Sequence, residues 1–383
     1  MRTVIILGAG ASIGACYPPT SALLPAIEDY AQVTHQAGVA AEWKKWVSYR
    51  DSHGKSPLVL LLHDPNPEIV LSALDLLYQI DEEYLPRLMK EVEGKDSIEA
   101  EEAFRKITEQ KGTTAEATQA RQSLLRCLSD YFTSRFFDDV NNPQRAEYIR
   151  DLLGRLKVGD VVITFNWDCL AELALGKLGL WNPTTGYGLE RPAQFLHRGE
   201  GSAPEASGVW PSPVHVLKLH GSVGWRGNGR SQIAFEWRRC LQLLQVALPG
   251  RASEGLFTGQ QPQPPQDWEP LFVPPTYLKG VPGGEDMQQI WHLASRSIWE
   301  AECVEVYGYS LPPSDTAARV LLNPLRARLH QGDVVVKVTD PSPETRRRWD
   351  DFLGFRAAQY GRLGQCHHKP GGAASGIAAP VVS

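Results

Sequence analysis

The sequence predicts an α/β fold, a Rossmann-like, doubly wound and mostly parallel sheet carrying an inserted helical layer. Three observations predict it. Val4-Ile5-Ile6-Leu7 is a short, continuous apolar run that ends in Gly8, as expected of a parallel strand buried on both faces. Four later runs share that character: Val161–Phe165, Val214–Leu219, Cys303–Tyr307 and Val334–Val338. Segments with apolar residues at helical spacing separate them, and strands alternating with helices imply parallel crossover units.

After the first strand and its glycine turn, the spacing predicts helices over Pro67–Glu93, Ile98–Lys111, Thr114–Val140 and Arg145–Leu156. The first of these carries Ile69, Leu71, Ala73, Leu74, Leu76 and Leu77 at helical spacing. Gly199–Pro213 reads as loop. Trp225–Pro270 reads as a second insertion, with a helix over Ser231–Leu248 and a polar, proline-rich connector without regular structure over Gly259–Pro270. Helices are then expected over Met287–Glu300, Asp315–Gln331 and Pro343–Leu353. The organisation is thus one domain over residues 1–369, with helical insertions at about 26–156 and 226–270, and a small-residue, flexible tail over 370–383.

Composition excludes several classes. The 383 residues are 42% hydrophobic and 22% charged, ordinary for a globular protein able to bury a core. A formal net charge of −5 leaves no excess of Lys and Arg to neutralise phosphates, so direct nucleic-acid binding is not expected. Arg346, Arg347 and Arg348 read as the solvated face of a helix. The six cysteines (Cys16, Cys127, Cys169, Cys240, Cys303 and Cys366) include no CxxC pair to start a zinc site, and scattered thiols suit a reducing cytosol. Cys366-His367-His368 has no further ligand nearby, so no metal is expected. No stretch is long enough for a membrane span, and the protein is expected to be cytoplasmic.

Gly8-Ala9-Gly10-Ala11-Ser12-Ile13-Gly14 follows the first strand directly. Glycines permit a tight turn and close approach of backbone to a ligand, and a helix starting there aims N–H groups at a pyrophosphate. The dinucleotide fingerprint of dehydrogenases asks for a third glycine three residues after Gly10, where Ile13 stands, and for an acidic strand end about 20 residues on, where none is seen. A dehydrogenase fits poorly. Three further segments end strands: Thr164-Phe165-Asn166-Trp167-Asp168, Lys218-Leu219-His220-Gly221-Ser222 and Gly308-Tyr309-Ser310-Leu311-Pro312. Ligands of open α/β sheets bind outside the carboxyl ends of the strands, so all three should share one rim with the glycine turn.

This order of motifs resembles the sirtuin family, and more closely its bacterial sirtuin-like branch than the protein deacylases. Phe165-Asn166-Trp167-Asp168 stands where deacylases have Gln-Asn-Ile-Asp, His220-Gly221 looks like the family's catalytic His-Gly pair, and Gly308 and Ser310 fall where its Gly-Thr-Ser approaches the adenine ribose. Tyr17-Pro18 with Leu23-Leu24, and Leu271–Thr276, are similar to segments of that branch. The likeness runs in patches from Val4 to Pro341. Two departures count against acyl-lysine removal. The paired CxxC zinc module is missing, and Pro18-Pro19-Thr20-Ser21 replaces the deacylases' Pro-Asp-Phe-Arg.

The resemblance implies an NAD glycohydrolase that cleaves NAD to nicotinamide and ADP-ribose, an antiphage effector controlled by a protein partner or by homo-oligomerisation. On this reading the backbone of Gly8, Ala9, Gly10, Ala11 and Ser12 takes the pyrophosphate. Asp168 binds the nicotinamide carboxamide or holds its loop, and Gly308 and Ser310 meet the ribose. Asn166 positions water or ribose hydroxyls, and His220 is the general base, a role suited to imidazole near neutral pH. Asp315 reads as a helix cap, and Trp225 as core or as a stacking partner for nicotinamide. The alternatives are a deacylase or ADP-ribosyltransferase on the same pocket, and a non-catalytic NAD or ADP-ribose sensor or interaction subunit.

Overall fold

In the computed structural model the described residues are 2–34, 66–71, 74, 97–189, 194–195, 211–227, 233–235, 242–243, 245–247, 269–273 and 284–354. In chain order the strands are β1 Thr3–Leu7, β2 Val161–Thr164, β3 Gln194–Phe195, β4 His215–Lys218, β5 Gly221–Gly227, β6 Ile233–Phe235, β7 Glu269–Phe272, β8 Cys303–Tyr307 and β9 Val335–Thr339. Five form one sheet of order β4-β2-β1-β8-β9, every neighbouring pair parallel. All five apolar runs marked in the sequence are these strands, within one residue at either end. The reason is burial on both faces: Val4, Ile5, Ile6, Val162, Ile163, Val216 and Val304 are fully inaccessible. The order turns back at β1, with β2 and β4 to one side and β8 and β9 to the other.

The helices are α1 Leu23–Val33, α2 Ser97–Asn141, α3 Glu147–Leu153, α4 Leu170–Lys177, α5 Gly284–Glu300, α6 Thr316–Leu322, α7 Pro324–Gln331 and α8 Pro343–Leu353. The two helices expected over 98–140 are one helix of 45 residues. Gly112 costs that helix only about 1 kcal/mol relative to alanine, too little to end it. The single helix expected over Asp315–Gln331 is instead two, because Pro324 lacks the N–H that a continuous helix needs and starts α7 at its first position. Residues 67–71 and 74 are helical, as expected of the segment starting at Pro67; the rest of that segment, most of the 259–270 connector, Cys366-His367-His368 and the tail lie outside the described residues.

A second sheet of order β3-β6-β5-β7 was not legible in the sequence. It corrects the helix expected over Ser231–Leu248, since Ile233–Phe235 pairs antiparallel with Trp225–Gly227 and described helical residues there are confined to 242–243 and 245–247. Three buried residues are too few for a period to declare itself. Glu269–Phe272 likewise pairs with β5 where the end of the connector was expected. Pro270 is tolerated because β7 is an edge of its sheet. Trp225 is core: it is 2% exposed and packs edge-on against Tyr187 and Phe235. The inserted helix α2 packs on α1 and on β5 and β7, joining the first sheet's rim to the second sheet. Among the described residues no helix is long and apolar enough to cross a membrane.

Candidate active site

The carboxyl ends of β1, β2, β4 and β8 lead into the four segments singled out above. After β1, Ala9–Ala15 forms a short 3-10 helix. Gly8 and Gly10 serve contact with the β8 loop. A Cβ on Gly8 would lie 2.5 Å from Tyr309 Cα, and one on Gly308, at φ 61°, would lie 2.2 Å from Ala11 N. The Gly8 N–H donates to Tyr307 O (3.0 Å), Gly10 N–H to Gly308 O (2.9 Å) and Ala11 N–H to Gly8 O (2.8 Å). These three donors, assigned from the sequence to a pyrophosphate, are therefore already engaged within the protein, because the turn is held against β8 by its own backbone.

One polar cluster ties this turn to the end of β2. Asn166 Nδ2 donates to Gly8 O and to Ser12 Oγ, both at 2.9 Å. Ser12 Oγ donates in turn to Asp168 Oδ2 (2.6 Å), while Leu170 N–H donates to Asp168 Oδ1 (3.0 Å). Both amide hydrogens of Asn166 are thus used, leaving its Oδ1 as the group with capacity for a ligand. Asp168 holds its loop, one of the two roles expected of it. Ala9, Ser12, Asn166 and Asp168 line a recess of about 420 Å³, open to solvent, together with Tyr17, Phe165 and Glu68.

A second cluster sits behind Phe165. His220 is 2% exposed, with Nε2 3.2 Å from Asp315 Oδ2. Tyr309 Oη donates to the same oxygen (2.7 Å), and Ala318 N–H donates to Oδ1 (3.2 Å). Asp315 is thus the cap of α6 that the sequence predicts and also the carboxylate facing His220. Burial by itself raises the Asp315 carboxyl, but His220, Tyr309 and the Ala318 N–H outweigh it and hold the group below its ordinary value. The His220 ring makes no directed hydrogen bond, and Nδ1 has no partner among the described residues. Phe165 separates the clusters, edge-on to His220 (5.1 Å) and stacked on Tyr309 (4.0 Å).

Below both lies an ion pair, Lys218 Nζ to Glu172 Oε1 at 3.0 Å, with both side chains fully buried. Lys218 also donates to the Asp168 carbonyl, and Tyr187 Oη to Glu172 Oε1 (3.3 Å). Burial alone lowers the Lys218 ammonium, but Glu172, Cys169 and Asp168 outweigh it and hold it above the ordinary lysine value. Reading along the chain did not single out Lys218, Glu172 or Glu68; only Lys218 carried a signal, as the charged last residue of a buried strand.

Gly8, Gly10, Ala11, His220, Gly308 and Ser310 do not line the recess. Gly308 is spent on packing against the glycine turn, and the Ser310 carbonyl accepts from Arg348 Nη1 (2.8 Å). His220 and Asn166 nevertheless stand at the ends of adjacent strands, β4 and β2, and Trp167 Nε1 donates to His220 O (2.8 Å). Among the described residues no group of three or more His, Cys, Asp or Glu is arranged to hold a metal ion. Compared with protein-family models and with curated protein sequences, the chain matches none.

Proposed function

We propose that this protein cleaves the bond between nicotinamide and ribose in NAD, with the recess at the carboxyl rim of the parallel sheet as its active site. The observation that carries the reading is the convergence at that rim of Asn166, in the recess wall, with a buried His220–Asp315 pair one side chain away. The strand order supports it too: β4-β2-β1-β8-β9 matches the first five strands of a Rossmann-like, doubly wound sheet, with the glycine turn where the order reverses.

On this reading Asn166 offers its Oδ1 to a ribose hydroxyl or to the attacking water. An Nε2–H of His220 facing Asp315 leaves the Nδ1 lone pair as the basic site that accepts the water's proton. Asp315 orients the ring and stabilises its protonated form, as the carboxylate of a triad does. Phe165 stands between His220 and the recess, so a rotation of that ring belongs to the proposal. Control by a partner or by self-assembly belongs to it as well.

A second reading, an NAD or ADP-ribose sensor without turnover, is favoured by one observation: Asn166 and Asp168 are occupied in holding the turn. One experiment separates the two. Purified protein is incubated with NAD and nicotinamide release is followed by chromatography, beside Asn166→Ala and a calorimetric measurement of ADP-ribose binding. Release that falls by about 10²–10⁴-fold in the variant supports the hydrolase. Binding without release, unchanged when the products of neighbouring genes are added, supports the sensor.

A further inference from the structure

We propose that Glu68, brought to the recess by the inserted helical segment, is a further catalytic residue, supplying the negative charge that complements the cationic sugar formed as nicotinamide leaves. The inference rests on the NAD-cleaving reading and adds a residue that no motif in the sequence marks. Among the described residues, two carboxylates line the recess, Asp168 and Glu68. Asp168 has each oxygen committed to holding its loop, one to Ser12 and one to the Leu170 N–H. Glu68 is half-buried in the first turn of the helical segment, its N–H capped by Asn66 Oδ1 (2.9 Å). Val70, Leu71 and Leu74, at 0–1% exposure, anchor that segment in the core, so the side chain is delivered by a fixed backbone.

The charged and titratable groups around it come from several elements. His220 after β4, Asp315 at the start of α6 and Tyr309 after β8 all act on Glu68 or are acted on by it, and Asp168 and Tyr17 share the recess. Burial pushes the carboxyl up to about 7, with His220 pulling it down, Asp315 pushing it up and Asn66 pulling it down. In the reaction the carbon–nitrogen bond breaks with its electron pair going to nicotinamide. Water oxygen then bonds the sugar carbon, and its proton passes to His220 and on to solvent. Glu68 exchanges no atom; it opposes the positive charge while that charge exists, the kind of electrostatic role that is worth about 10²–10³ in rate.

The test uses the full chain and NAD, with Glu68→Gln, Glu68→Asp and Asn166→Ala beside the unaltered protein. Expected for Glu68→Gln is a kcat lower by about 10²-fold with KM within about threefold. The rising limb of kcat near pH 7 should become shallower in that variant, the general base's own limb remaining, and Glu68→Asp should recover part of the loss. Stability should move the opposite way. A carboxyl raised on folding binds its proton in the folded state between about pH 4.5 and 7, so stability falls as pH rises through that window. Glu68→Gln should therefore melt at or above the unaltered protein at pH 8, whereas a merely structural glutamate would lower the melting temperature on removal. An unchanged kcat and pH profile in Glu68→Gln, with Asn166→Ala inactive, overturns the role of Glu68 and leaves the hydrolase standing. No nicotinamide release from the unaltered protein, either alone or with the products of its neighbouring genes, overturns both.

Discussion

Two polar clusters meet at the rim of the parallel sheet, and they differ in what they have left to give. The Asn166–Ser12–Asp168 cluster is nearly saturated: the amide hydrogens, the hydroxyl and both carboxylate oxygens all have protein partners. The His220–Asp315 cluster is not, since among the described residues one ring nitrogen is buried with no partner and the other meets its carboxylate without a directed bond. A buried polar atom without a partner costs about 1–3 kcal/mol. Such a cost persists where an atom is needed for something other than stability. The difference teaches a division of labour. The first cluster builds the wall of the recess, and on the proposed reading the second carries the proton transfer.

The sharpest way to break this division is His220→Ala. It should lower nicotinamide release by about 10²–10⁴-fold while leaving the far-ultraviolet spectrum close to that of the unaltered protein, with a lower melting temperature because the buried Asp315 loses its partner. Retained activity would dissolve the distinction. On the structural side, Lys218→Met leaves Glu172 charged and fully buried without its cation, and should cost about 3–5 kcal/mol in urea unfolding. Adding Glu172→Leu should restore most of that loss, because the pair itself contributes little net stability beside well-packed apolar groups. Failure of the double variant to recover would mean that Lys218 matters through the Asp168 carbonyl it holds.

Smaller effects sharpen the boundary. Ser12→Ala strands an Asn166 N–H and an Asp168 oxygen, and should cost about 1–3 kcal/mol in the same assay. A cost near zero would show that the first cluster is less saturated than its geometry says. Asp315→Asn separates the clusters by pH. The folded carboxyl is held below its ordinary value of 3.8, so its stabilising contribution is fully present above that value and is lost as pH falls through the lower folded one. The difference in urea midpoint between the unaltered protein and Asp315→Asn should therefore shrink below about pH 4. Smallest is Glu344→Ala, at under about 1 kcal/mol, since its pairing with Arg348 on the outer face of α8 is exposed to water.

How much of this was readable from the residues varies with how local the cause is. The five parallel strands were legible because doubly buried strands are largely apolar, as Val4–Leu7 and Val161–Ile163 are without interruption. The break at Pro324 was equally local and was overlooked in favour of the longer period. Ile233–Phe235 was not readable, because its strand character comes from pairing with Trp225–Gly227 and from burial, not from its own three residues. In the site, the strand-end position of Asn166, Asp168 and His220 followed from the sequence alone. That Asn166 spends its donors on Gly8 and Ser12 did not.

What the sequence by itself determined is the order of buried strands, the glycine turn after the first, and the set of polar residues delivered to the carboxyl rim. Strand formation and side-chain delivery depend on near neighbours along the chain, so composition and spacing carry them. Only the tertiary structure decided which of those polar atoms are already satisfied, that Asp315 faces His220, and that Glu68 enters the recess from a segment placed elsewhere in the chain. Hydrogen-bond satisfaction and electrostatic pairing are set by distances between residues far apart in sequence, and those distances exist only once the chain has packed.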